Sequence, residues 1–95
     1  MKIEIDTEKM RESAKDIMSL ANELTVVFDD MFDKLSSVSK RGVWMGDAAD
    51  EYSYRVSIEK NDYSNFSKIL YQYGKVLNDV ANEYDQQIKE LEYKK

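Results

Sequence analysis

Lys40-Arg41-Gly42-Val43-Trp44-Met45-Gly46-Asp47 holds the chain's only tryptophan and two of its three glycines, at the one break between two long runs of helical periodicity. Before it, Met10, Ala14, Ile17, Ala21, Leu24, Phe28, Met31, Leu35 and Val38 recur in alternating steps of four and three, which is a heptad seam. After it the repeat resumes at Ala49, Tyr52 and Val56 and continues through Tyr63, Phe66, Leu70, Tyr73, Leu77, Val80, Tyr84 and Leu91, weakened where Glu59 and Gln87 take seam positions. Lys40 and Arg41 suit the negative end of a helix, and Gly42 can take the left-handed conformation that closes one. On the far side Gly46 allows a tight backbone turn, and the carboxylate of Asp47 can accept from the amides of the next turn. At the amino end Asp6 or Thr7 can cap, with Glu8 favouring the positive end of the helix dipole.

The pattern predicts a single domain over residues 1–95, with a helix over about 7–40, a turn over about 41–46 and a second helix over about 47–92. So short a connection forces the helices back along each other as an antiparallel hairpin. A turn near residue 44 pairs positions whose numbers sum to about 88, setting Leu35 near Tyr52, Leu24 near Tyr63, Ile17 near Leu70 and Met10 near Leu77. Residues beyond about 82 then have no opposite number, so the segment from Glu83 overhangs, carrying Tyr84, Ile88, Leu91 and Tyr93. Gly74 costs about 1 kcal/mol in a helix interior relative to alanine, and we read it as a point where the helices pack closely.

The 95-residue chain has no proline and only three glycines, too little punctuation for strands and tight turns, so the fold class is all-α. A chain of this size buries only about 60–65% of its unfolded surface alone, which favours a partner. A second apolar line supplies a place for one. With Ala14 counted as heptad position a, Leu20 and Val27 fall at g, as do Ile69 and Val76 in the second helix. In an antiparallel pair these four share one flank, which a hairpin cannot cover itself. The expectation is association with a second copy or a related chain into a four-helix bundle, through Leu20, Val27, Ile69 and Val76.

Several function classes are disfavoured. Without histidine or cysteine the commonest general base, metal ligand and activated nucleophile are missing, so no catalysis and no cofactor are expected. Asp29, Asp30 and Asp33 share a turn that Glu59 or Asp62 could approach, but without a loop-type calcium motif they read as solvated acids, and no metal site is expected. A net charge of −5 argues against nucleic acid or anionic lipid as the main partner. Seven tyrosines could stack bases only within a basic groove. Tyr52, Tyr63, Tyr73 and Tyr84 lie on the seam, whereas Tyr54, Tyr71 and Tyr93 lie off it and suit intermolecular contact. Met1-Lys2-Ile3-Glu4-Ile5-Asp6 lacks the apolar run of a leader or an anchor, so no cleaved signal peptide and no integral membrane segment are expected.

Length, two amphipathic helices and Trp44-Met45-Gly46 in the mid-chain turn together resemble the WXG family, small ESAT-like proteins of about one hundred residues that are substrates of type VII (ESX) secretion in Gram-positive bacteria. The resemblance covers the whole chain. It implies a hairpin that dimerises, with itself or a related small WXG-type protein, and is cytoplasmic before export and secreted without a cleaved leader. It implies that Trp44 and Gly46 form a turn motif contributing to recognition by the secretion machinery. Many members end in an aromatic residue followed four positions later by an acid. This chain lacks that motif, since Tyr73 is followed there by Leu77 and Tyr84 by Ile88. A looser pattern found in other members is matched by Ala81, Asp85 and Ile88 and fails at Glu92, which makes those three the candidate export signal. The resemblance also admits an accessory helper, which would bind the helical amino-terminal region of a larger secreted toxin and supply part of its signal.

Overall fold

A computed structural model describes residues 5–40 and 45–93, with side chains over 5–38 and 45–91. Two helices account for nearly all of it, α1 over Thr7–Lys40 and α2 over Asp47–Tyr93. They pack against each other as a hairpin, and the molecule is a rod of 75 × 22 × 17 Å. The length follows from α2, whose 47 residues at about 1.5 Å each span about 70 Å.

The amino end of α1 is capped by Asp6, whose Oδ1 accepts from the Lys9 amide at 3.0 Å, leaving Thr7 free for another role. At the start of α2 the cap position belongs to Gly46 rather than Asp47, because the Gly46 carbonyl accepts the first helical bond, from the Asp50 amide at 3.0 Å. Gly46 has φ +108°, a conformation that costs other residues a Cβ clash with their own backbone. Trp44, with the rest of residues 41–44, lies outside the described residues.

The buried face is where structure and heptad reading part. In α1 the fully buried residues are Ala14, Ala21 and Phe32, and in α2 they are Ala49, Val56, Ser67, Gly74 and Ala81. Both series step by seven except once, between Ala21 and Phe32 and between Val56 and Ser67, where the step is eleven. Four extra residues move the inward line from heptad position a to position e, the local change in winding that such an insertion produces. As a result each buried a position faces an e position: Ala14 with Gly74, Ala21 with Ser67, and Phe32 with Val56, all on the register summing to 88.

Side-chain size explains the shift. Along the open half of the hairpin the inner line is alanine, serine and glycine, so the helices approach closely: a Cβ on Gly74 would sit 2.9 Å from the Ala14 carbonyl oxygen. Phe66 and Tyr73, predicted on the seam, cannot fit so narrow a gap and turn to one flank, where they are more than half exposed. Nearer the turn the inner line holds Phe32, which the seam did not include, and Tyr63, a seam residue that is 42% exposed, lays its ring 4.9 Å from that of Phe28 and 5.4 Å from that of Phe32. There Tyr52 donates its hydroxyl to the Leu35 carbonyl at 3.0 Å, as the predicted pairing of those two positions requires.

Candidate docking face and carboxyl-terminal clasp

The displacement of large side chains builds the most distinctive surface of the molecule. Leu20 (48% exposed) and Val27 (59%) on α1 lie on the same flank as Phe66 (55%), Ile69 (53%), Tyr73 (66%) and Val76 (56%) on α2. From Phe66 to Val76 is about 15 Å along the rod, so the six form one apolar face at mid-hairpin. Leu20, Val27, Ile69 and Val76 were legible from the second apolar line. Phe66 and Tyr73 were missed, because a repeat of three and four does not distinguish a d position inside the interface from one squeezed out beside it. Six large apolar side chains held half out of the fold, in a protein with 35% charged residues, are a surface suited to covering by another protein.

The opposite flank is polar. Ala21, Asn22, Thr25, Ser67 and Tyr71 line an open recess of about 210 Å³ between the helices. Thr25 spends its hydroxyl on the Ala21 carbonyl at 3.0 Å, and the Ser67 hydroxyl, on a residue 3% exposed, has no hydrogen-bond partner. Of the tyrosines read as off the seam, Tyr54 is 67% exposed on the outer surface of α2, Tyr71 borders this recess, and the side chain of Tyr93 lies outside those described.

At the open end a second feature holds the helices together. Thr7 Oγ1 donates to Asp85 Oδ1 at 2.6 Å, the Arg11 guanidinium pairs with the other Asp85 oxygen, and Arg11 Nε donates to Asn82 Oδ1 at 3.0 Å. The overhang therefore starts after Asp85 rather than at Glu83, because the side chains of Thr7 and Arg11 reach one turn beyond the last backbone level of α1. Of the candidate export residues, Ala81 is fully buried against α1, Asp85 is clasped, and Ile88 is 47% exposed on the free extension. The three do not share one accessible face.

Hydrogen bonds from Thr7 and from Arg11 lower the Asp85 carboxyl below its ordinary pKa, outweighing an opposing effect of desolvation. A lowered folded value means that the clasp stabilises the folded end above the ordinary carboxylate pKa and is lost as pH falls through the lowered one. Amide exchange over residues 82–91 is therefore expected to accelerate as pH drops below about 4, after correction for intrinsic rates, and Asp85→Asn should reproduce that loosening at pH 7. Protection indifferent to both changes would mean that the clasp does not hold the end.

Asp30 is paired with Lys34 at 3.1 Å, and among the described residues no three acids, histidines or cysteines are grouped to hold a metal ion. No helix among the described residues is long and apolar enough to cross a membrane. Comparison with family models, curated proteins and solved structures finds no match to this chain.

Proposed function

We propose that this protein is a small helical-hairpin substrate of a type VII secretion system that acts by binding protein, as one half of a homodimer or heterodimeric four-helix bundle. The observation that carries the binding part is the face of Leu20, Val27, Phe66, Ile69, Tyr73 and Val76, about half exposed in the hairpin. A pair of helices offers a partner pair one flank each, and apolar burial there supplies the driving force that a 95-residue chain lacks alone. The export part is supported by the resemblance carried by Trp44-Met45-Gly46 between two long helices.

A second reading, the accessory helper of a larger secreted toxin, is favoured by one observation. Ala81 and Asp85 are taken up by contacts with α1, which leaves Ile88 as the single open member of this chain's candidate signal. A helper would share the signal of the protein it escorts. Immunoblotting culture supernatants of cells with and without the secretion ATPase tests the export reading. Loss of the extracellular protein without the ATPase is expected, and equal amounts in both would overturn it. Loss that occurs also when the gene for a larger co-exported protein is deleted would favour the helper.

A further inference from the structure

We propose that the apolar face receives a helical partner whose own apolar stripe is bordered by lysine or arginine, and that the face disfavours a second copy of this chain. The proposal rests on the docking reading above and names the partner's chemistry. Its basis is the border of the face. Asp16 and Glu23 on α1 and Asp62, Asp79 and Glu83 on α2 are all exposed, at heptad positions c and g next to the apolar side chains. Between 16 and 30 on α1 and between 62 and 83 on α2, positions c, d and g carry no lysine or arginine. Of the lysines at these levels, Lys15, Lys68 and Lys75 fall at b and f, turned toward the polar flank, while Lys9 falls at c, level with Asp79, as a single base among the five border acids. The apolar flank thus has a border on which acids outnumber bases five to one, whereas the polar flank mixes Lys15, Lys68 and Lys75 with acids such as Glu8, Glu12 and Asp29.

A symmetric contact between two copies presents the same patch twice, so each acidic border meets another acidic border. Lys9, the one base on that border at these levels, offsets only part of the repulsion among the five acids. A partner with basic borders turns each of those encounters into attraction, so the border selects against self while the apolar centre supplies affinity.

The test uses the full chain and, as probe, a charge-reversed copy carrying Asp16→Lys, Glu23→Lys, Asp62→Lys, Asp79→Lys and Glu83→Lys, with binding followed by sedimentation. In about 50 mM NaCl the native chain is expected to bind the reversed copy at least about tenfold more tightly than it binds itself, with the gap closing toward about 1 M NaCl. A control with lysine at Glu8, Glu12, Asp29, Asp33 and Asp50 has the same net charge placed at b and f, and should give little of that gain. A neutralised copy, with Asn or Gln at the five border acids, should self-associate more than the native chain in low salt. If the reversed copy loses its helicity, the neutralised copy decides, and unchanged self-association overturns the proposal. Equal gain from the control overturns it too, as does native self-association equally tight in low and high salt. Tight native dimers in about 50 mM NaCl that Leu20→Asp disrupts would sink the charge assignment and leave the docking face standing. Absence of association for every variant in high salt would remove the docking face itself.

Discussion

Gly74→Leu is expected to unfold the open half of the hairpin, lowering stability by roughly 3 kcal/mol and the melting midpoint by on the order of 15 °C. A Cβ at this position would lie 2.6 Å from Met18 Cγ, 2.9 Å from the Ala14 carbonyl oxygen and 3.2 Å from the Met18 amide nitrogen. The methionine side chain can swing aside, but the Ala14 carbonyl is backbone within α1 and can yield only if the helices separate. Separation would expose the inner line from Ala14 to Ala21 and from Ser67 to Ala81, so the cost spreads beyond one contact. Alanine is the informative intermediate. It should recover about 1 kcal/mol of helix propensity and lose a comparable or larger amount to the clash, leaving a net change between neutral and about 2 kcal/mol unfavourable. Lys75→Ala, one residue along on the exposed surface, should be nearly silent. Thermal melts followed by circular dichroism measure all three, and a leucine variant that melts with the native protein would mean that α1 and α2 do not approach at Gly74.

Leu20→Asp or Ile69→Asp should do the reverse, sparing the hairpin and abolishing its association. Both residues are about half exposed in the hairpin, so an aspartate there strands no buried charge in the single chain and helicity should change little. In a complex the same carboxylate would be buried at the centre of an apolar contact without a counter-charge, a loss of 2 kcal/mol or more, roughly 30-fold in affinity. The measurement is best made in about 1 M NaCl, where the acidic border is screened and self-association is at its strongest. Light scattering should report a smaller mass for the variant than for the native chain, with matching far-ultraviolet spectra. An unchanged mass would place the contact elsewhere, and a loss of helicity would mean that these side chains serve the hairpin itself.

The sequence was most informative where local chemistry acts. Two glycines and a tryptophan between apolar runs mark one break, and Asp6 supplies the amino-terminal cap with its own carboxylate. It was less informative about the site. Arg11, Thr7 and Asp85 stand far apart along the chain, and nothing in their neighbours announces that they meet. Phe32 and Phe66 show the same difficulty inside the hairpin. One was read off the seam and is buried, the other was read on it and is exposed. Both are aromatic residues on the apolar side of an amphipathic helix, and periodicity assigns such residues to a stripe without fixing which edge of the stripe points inward.

The amino-acid sequence by itself determined that the described residues form two helices, and that these run in opposite directions at a register near 88. These follow from propensity, capping and spacing, which act within a few residues along the chain. Tertiary structure decided which apolar line is core and which is surface. That choice depends on the distance between the helices, set where Ala14 meets Gly74 and Ala21 meets Ser67, and a gap narrow enough for small residues leaves Phe66 and Tyr73 nowhere to lie except on the flank.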